Sequence, residues 1–304
     1  MPGNNKDLLP GIVIASFGVE VLIETATGEL VRATTRKKIG TLVSGDQIHY
    51  QIIHANHYAV EKREERVTEL ARPDMRGRKK VIAANITQVL IVTACKPAFN
   101  PGLIDRYLVA AEMLNITPVI LLNKTDLITD ELSEQIEPYL NDYRVIGYSV
   151  IYTSCKKAHG YDDLLKQLEQ KMSIFVGQSG TGKSSLINAL LPETNARVGE
   201  ISNATGKGKH TTTTAWLYHL TQQDGNLIDS PGVREFGLWE IKPQQLAQGY
   251  REINSSAHNC RFRDCLHKNE PGCAVLTAVK AGEISQHRYD SYIRVLNTLE
   301  GSDK

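Results

Sequence analysis

Apolar residues recur along this chain at two periods, and the change from one to the other divides it. Over residues 9–67 the apolar runs are short and strand-like: Gly11-Ile-Val-Ile14, Gly18-Val-Glu-Val-Leu-Ile23, residues 30–33 and residues 48–52. Turn signals at Thr27-Gly28 and Gly45-Asp46 separate them. Ile48, Tyr50 and Ile52 alternate with polar neighbours, the two-residue period of a strand with one buried face. About five such strands predict a small all-β barrel, a shape that often binds oligonucleotides. From Val81 the pattern becomes strands alternating with helices. Val89-Leu-Ile-Val92 and Val119-Ile-Leu-Leu122 read as buried strands, while Leu103, Ile104, Tyr107, Leu108, Ala111 and Leu114 recur at helical spacing. A mostly parallel sheet covered on both faces follows. An apolar run at 145–151 reads as a further strand, and Leu164, Leu165 and Leu168 mark a helix. Near the end Leu246, Tyr250 and Ile253 mark one helix, and Tyr289, Tyr292, Ile293 and Leu296 another. Between barrel and sheet, Arg72-Pro-Asp-Met-Arg-Gly-Arg-Lys-Lys80 is polar and basic and reads as a linker. The expected organisation is a multidomain chain: a β-barrel over 1–70, the linker 71–80, an α/β domain over 81–240 and a helical domain over 241–304.

Composition narrows this picture without changing it. At 304 residues and 41% hydrophobic, the chain can bury the cores of about two domains. A net charge of +1 excludes a globally basic coat for nucleic acid and leaves only local patches. Arg32, Arg36, Lys37 and Lys38 form one such patch, open to two readings: phosphate contacts or a solvated charged turn. No apolar run approaches the roughly 20 residues that cross a bilayer. Met1-Pro-Gly-Asn-Asn-Lys-Asp7 lacks the apolar core of a signal peptide. Three of the five cysteines crowd beside a histidine, which suggests a metal site and not a disulfide framework. The expectation is a cytoplasmic protein with no membrane partner.

The chemistry centres on Gly177-Gln-Ser-Gly-Thr-Gly-Lys-Ser184, a G-x-x-x-x-G-K-S loop after an apolar run and before Leu186, Ile187, Leu190 and Leu191 at helical spacing. Glycines let the backbone curl so that N–H groups of Gly177, Gln178, Ser179, Gly180, Thr181, Gly182, Lys183, Ser184 and Ser185 converge on phosphates, aided by the helix dipole. Lys183 reaches the β and γ phosphates, and the Ser184 hydroxyl holds Mg²⁺. Asn123-Lys-Thr-Asp126 ends a buried strand, and the Asp126 carboxylate can accept from guanine N1–H and N2–H₂ together, which adenine does not offer. Thr153-Ser-Cys-Lys156 is placed to close over a base through backbone N–H groups. Asn226-Leu-Ile-Asp229-Ser-Pro-Gly232 is a strand ending in D-x-P-G, with Asp229 for the Mg²⁺ water shell and the Gly232 N–H for the γ phosphate. Residues 203–214 carry Gly206, Gly208, His210 and Thr211 to Thr214, a loop rich in hydroxyls. Cys260-x₄-Cys265-x-His267-x₅-Cys273 matches a closed tetrahedral Zn²⁺ set, with Arg261, Arg263, His258, Lys268 and Phe262 interleaved as a candidate RNA-facing surface.

These motifs resemble those of the GTPases, but Asn123-Lys-Thr-Asp126 and Thr153-Ser-Cys-Lys156 precede the phosphate loop and D-x-P-G, as in a circularly permuted domain. With the barrel before it and Cys₃His after it, the chain resembles the ribosome small-subunit-dependent GTPase A family of bacterial assembly factors. Asp229-Ser-Pro-Gly-Val-Arg-Glu-Phe-Gly237 and His210-Thr-Thr-Thr213 carry the same likeness. The resemblance implies an OB-fold barrel, GTP hydrolysis to GDP and phosphate stimulated by the 30S subunit, contacts to 16S rRNA, late small-subunit maturation and a monomer. It also implies Asn123, Lys124 and Asp126 with Ser154, Cys155 and Lys156 on the base, and Thr212 as second Mg²⁺ ligand, Thr211 being next. Val233 stands where a Ras-like enzyme carries its water-orienting glutamine, so His210 is the candidate for that work, or else an exposed loop residue or an rRNA contact. Lys183 and the Gly232 N–H complete the catalytic set. A GTP-gated RNA-binding module with incidental turnover is the alternative.

Overall fold

Alternation of buried and solvent-facing residues folds the first part of the chain into five strands: β1 (Leu9–Ser16), β2 (Glu20–Thr25), β3 (Leu30–Thr35), β4 (Gln47–His54) and β5 (His57–Arg63). They neighbour one another in the order β1-β2-β3-β5-β4, and β4 returns to β1 with Leu9 opposite Tyr50, which closes a barrel of OB type. Val13, Val21, Ile23, Val31, Ile48, Tyr50 and Val60 fill it. The structure, a computed structural model, describes residues 8–54, 57–74, 76–157, 159–191, 214–220, 224–230 and 241–302.

The polar stretch after the barrel is an antiparallel hairpin of β6 (Glu69–Pro73) and β7 (Lys79–Ala84). The Asp74 carboxylate organises its turn, accepting from the backbone N–H of Arg76 and Arg78 at 2.8 and 2.9 Å. The chain then alternates β8 (Gln88–Ala94), α1 (Pro101–Met113), β9 (Thr117–Asn123), α2 (Asp130–Ile146), β10 (Ser149–Tyr152), α3 (Tyr161–Leu168), β11 (Met172–Val176), α4 (Lys183–Leu190), β12 (Trp216–Leu220) and β13 (Gly225–Asp229). Helices α5 (Arg251–Ala257), α6 (Ala274–Lys280) and α7 (Gln286–Ser302) follow.

The apolar run at 145–151 is shared between two elements. Val145 and Ile146 finish α2, Gly147 caps it in the left-handed conformation at φ 97°, and the strand starts only at Ser149. Likewise Leu246 sits on a 3₁₀ turn, Pro243–Gly249, ahead of the helix that carries Ile253.

These elements belong to two units. The first comprises Met1–Gln88, Asp162–Phe175 and Lys183–Glu235. In it β11 and β13 are parallel, β12 is antiparallel to β13, and β1 of the barrel pairs with β12 through Ala15 and Trp216. The Ser44 hydroxyl reinforces that seam, 2.9 Å from the Ile14 carbonyl oxygen and 2.7 Å from that of Ala215. Arg66 locks the loop before β4: its guanidinium donates to Asp46, which is fully buried, and to Glu69.

The second unit comprises Val89–Tyr161, Val176–Gly182 and Phe236–Lys304. Strands β10 and β9 are parallel, with β8 beside β9. Val109 of α1 shares a core with Leu246, Tyr250, Ile253, Val275, Tyr292 and Leu296. At its centre Arg288, fully buried, donates to Glu252 at 2.7 Å and to Asp105 at 2.5 Å, and the Tyr143 hydroxyl donates to the same Asp105 oxygen. Removing one partner strands a buried charge at a cost of roughly 3–5 kcal/mol. The ion pair therefore fixes α7 against α1 within this unit. Among the described residues no helix is long and apolar enough to cross a membrane.

Candidate nucleotide site and metal centre

In the second unit three loops at strand ends are tied together by side chains that the sequence places far apart. Asn123, at the end of β9 and almost fully buried, donates through Nδ2 to the Thr181 carbonyl at 2.9 Å and accepts from the Thr153 hydroxyl at 3.1 Å. Lys124 adopts the left-handed conformation at φ 62°, and its ammonium donates to the carbonyls of Lys96 and Gly180 at 3.0 and 2.5 Å. Thr125 donates from both its backbone N–H and its hydroxyl to the Thr153 carbonyl, each at 3.1 Å. The asparagine and lysine of N-K-x-D thus fasten the 123–126 loop to the 177–184 loop.

Two glycines are required by these approaches. Gly177 (φ 137°) leaves no room for a Cβ against the Val92 carbonyl, and a Cβ on Gly182 (φ 96°) would run into the Asn123 amide. The phosphate loop is further curled by the Thr181 hydroxyl, which donates to the Gln178 carbonyl at 3.0 Å.

Asp126 receives a hydrogen bond from the Ser154 hydroxyl at 2.6 Å. That bond holds its carboxyl below the ordinary carboxylate range, with help from the charges of Lys156 and Lys157. Ser154 in turn accepts from the Lys157 N–H, and a backbone pair with His159 pins the loop. The sequence suggested backbone closure by 153–156; the hydroxyl of Ser154 working on Asp126 was not legible, because a serine beside threonine carries no signal of what it faces. Cys155 lies with its sulfur 4.0 Å from Asn123 Oδ1, as a wall of the same cluster.

In the first unit Lys183 opens α4 and Asp229 closes β13. Burial pushes the Asp229 carboxyl above its ordinary value, and the positive charge of Lys183 opposes that rise. A cation at this carboxylate would restore its charge. Ser184 and Ser185 are exposed on the first turn of α4. His210, Thr212 and Gly232 lie outside the described residues, as does Thr211.

The ligand atoms of Cys260, Cys265, His267 and Cys273 all lie within 4.8 Å of one another. Cys260 Sγ is 3.8 Å from Cys273 Sγ, and His267 Nδ1 is 3.5 and 3.4 Å from these two sulfurs. Tetrahedral zinc with bonds of about 2.3 Å to sulfur and 2.0 Å to nitrogen requires edges of about 3.8 and 3.5 Å. The donor set fits such an ion, with Nδ1 as the imidazole ligand. Burial, with the neighbouring thiols, pushes Cys265 up to about 12 and raises Cys273. Burial also lowers His267, which favours the neutral ring that metals bind. The loop is pre-shaped by Glu270, whose carboxylate accepts from the N–H groups of Leu266, Lys268 and Asn269. Tyr289 donates to the His267 carbonyl at 2.8 Å. The cluster could therefore hold a metal ion. Arg261 lies over the Phe262 ring at 5.5 Å, and Lys268 pairs with Glu300. In the barrel, Arg36 and Lys38 share Glu61, and Arg32 faces Glu20, so much of that basic patch is neutralised.

A protein-family model described as RsgA GTPase matches residues 63–239. A Haemophilus influenzae protein named "Small ribosomal subunit biogenesis GTPase RsgA" is 44% identical over 293 residues, covering 95% of this chain and 84% of that one. Its namesake in Vibrio cholerae is 46% identical over 297 residues, 95% of this chain and 76% of that one. Among solved structures, YloQ, described as a circularly permuted GTPase, superposes with a TM-score of 0.79 at 30% identity, over 99% of this chain and 98% of its own. YjeQ from Thermotoga maritima gives 0.82 at 30% identity, over 97% and 99%.

Proposed function

The chain belongs to the RsgA GTPase family and is a circularly permuted GTP hydrolase, and we propose that it acts on the 30S ribosomal subunit during late maturation, hydrolysing GTP to GDP and phosphate when the subunit is bound. The observation that carries this reading is the fastening of Asn123 to Thr181 and of Lys124 to Gly180, which joins the N-K-x-D loop to the G-x-x-x-x-G-K-S loop through protein groups alone. Asp126, with Ser154, Cys155 and Lys156, reads the base. Residues 177–185 cradle the phosphates, with Lys183 on the β and γ groups. Ser184 and Thr212 hold Mg²⁺, and Asp229 orders its water shell. The Gly232 N–H meets the γ phosphate and His210 orients the attacking water. Cys260, Cys265, His267 and Cys273 hold one structural Zn²⁺, with no open coordination position. The barrel and the basic surface beside the zinc contact 16S rRNA, and the protein works as a cytoplasmic monomer.

The test is GTP turnover by the purified protein alone and with 30S subunits, 50S subunits and 70S ribosomes at fixed salt. A large rise confined to particles that contain the small subunit is expected. Turnover unmoved by any particle, despite tight GTP binding, would replace this reading with a GTP-gated RNA-binding module.

A further inference from the structure

The first unit contains a cavity of about 360 Å³ outside the residues assigned to GTP, walled by the barrel loops at 16–18 and 41–44, the β6–β7 hairpin, the start of β12 and the residue after Asp229. Its cations differ from their neighbours. The hairpin region carries five positive residues, of which Arg78 is paired with Asp74 at 2.8 Å and Lys79 with Glu69 at 2.8 Å. Arg72 and Lys80, opposite each other across the hairpin, line the cavity and have no carboxylate partner among the described residues. The Nε of Arg72 is buried without an acceptor. A buried, unpaired guanidinium donor is costly unless an anion arrives to accept from it. The hydroxyls of Thr41, Thr214 and Ser230 add neutral donors on the same walls. At the rim the Phe17 ring is 42% exposed and stands edge-on to Trp216, with ring centroids 6.0 Å apart.

We infer that this cavity is a second phosphate-binding site, in which Arg72 and Lys80 clamp one phosphate group. The chemistry is shared by two sources, a phosphodiester of a single-stranded RNA and free phosphate. The exposed aromatic ring beside the clamp favours RNA, since a base adjoining the phosphate can stack on it. The site also has a means of reporting occupancy. Thr214 and Ala215 lead into β12, Ser230 follows Asp229 directly, and Ser44 bonds the Ala215 carbonyl across the seam. An anion seated here would lie against the end of the Asp229 strand and the entry to its neighbour β12. The clamp itself stands independently of the ribosomal reading; only its assignment to rRNA rests on it.

Trp216 provides the readout. In a Trp239→Phe background it is the sole tryptophan, and with the GTP site saturated by Mg²⁺·GDP its emission is followed while a short oligouridylate or inorganic phosphate is added. Oligouridylate is expected to change the emission. Arg72→Gln combined with Lys80→Gln should weaken its binding at least tenfold and flatten the dependence of log K on log salt by about 0.7, the share of one phosphate contact on a single strand. Arg76→Ala removes one positive charge, half of what the double variant removes, from the hairpin outside the cavity and should change affinity less than twofold. A response to inorganic phosphate alone, abolished by the double variant, supports the clamp with free phosphate as its source. No response to either probe, or equal losses from Arg76→Ala and the double variant, would overturn the inference. Unaltered melting of the double variant shows that the fold is kept. If 30S subunits fail to stimulate the wild type while oligouridylate still reports at Trp216, the ribosomal reading falls and the clamp survives.

Discussion

The cluster around Asn123 and the cysteine–histidine cluster lie in the same unit and are built on opposite terms. Around Asn123 the hydrogen-bonding groups of the amide, the lysine ammonium and the Thr153 and Ser154 hydroxyls are satisfied by other protein groups, so the cluster keeps its shape with no ligand. Around Cys273 three sulfurs and a ring nitrogen converge on a common point, where burial opposes thiolates and the four groups meet only through weak sulfur contacts of 3.4–3.8 Å. In the proposed cycle of GTP hydrolysis the nucleotide site is emptied at every turn and must be stable when empty. A site proposed to hold one structural ion can leave the final spacing of its four ligands to that ion, on a loop that Glu270 already shapes.

The largest expected effect sharpens that contrast at its metal end. Apparent binding energies of structural zinc run to about 10–16 kcal/mol, as large as the stability of an ordinary domain. Cys273 is itself part of the core that includes Tyr250, Val275 and Tyr292. Stripping the metal with a strong chelator, or Cys273→Ala, is therefore expected to melt α5–α7 cooperatively, seen as lost helical circular dichroism and a melting temperature lowered by more than about 10 °C. A chelated, metal-free protein that melts within about 2 °C of the untreated one would mean that packing alone holds the cluster.

Both clusters could be read from the sequence for the same reason: their chemistry sits in short stretches whose spacing is itself the signal, G-x-x-x-x-G-K-S, N-K-x-D and Cys-x₄-Cys-x-His-x₅-Cys. The barrel was legible through the alternation at Ile48, Tyr50 and Ile52. The partners of these stretches were not. Arg288, Asp105 and Glu252 look like solvated charges in the sequence, yet they meet in the centre of a core because α1, α5 and α7 pack there. The basic run at 72–80 looks like a linker, since exposed cations on both strands give no alternation; its pairing depends on the Asp74 turn. Val145 and Ile146 join the following strand in any apolar count, and only the Gly147 cap separates them from it.

A smaller effect breaks the pre-built cluster without touching its polar groups. Gly182→Ala places a methyl against the Asn123 amide, at a φ of 96° that side chains rarely adopt. The Asn123–Thr181 bond must then open or the loop must shift. GDP affinity by calorimetry is expected to fall tenfold to a hundredfold, about 1.4–2.7 kcal/mol, while the metal-dependent melting of α5–α7 stays in place. Unchanged affinity would show that the fastening of the two loops is not needed for binding.

The finest test concerns a single proton. In the role proposed for it, Asp126 reads guanine as a carboxylate, because a protonated acid offers one acceptor fewer to N1–H and N2–H₂. The Ser154 hydrogen bond lowers the Asp126 pKa, so the wild type retains guanine affinity as the pH falls into the carboxylate range. Ser154→Ala removes that bond and lets the pKa rise toward its ordinary value. The variant should therefore lose affinity at a higher pH than the wild type. Near neutrality both carboxyls are ionised, and GDP affinity should differ by only about threefold, the worth of one lost hydrogen bond. The ratio should widen as the pH drops toward the ordinary aspartate range and stop widening once both proteins are protonated. A ratio that stays flat across that span would mean that Ser154 orients the loop without acting on the charge of Asp126, and the base site would then owe its readiness to Asn123 and Lys124 alone.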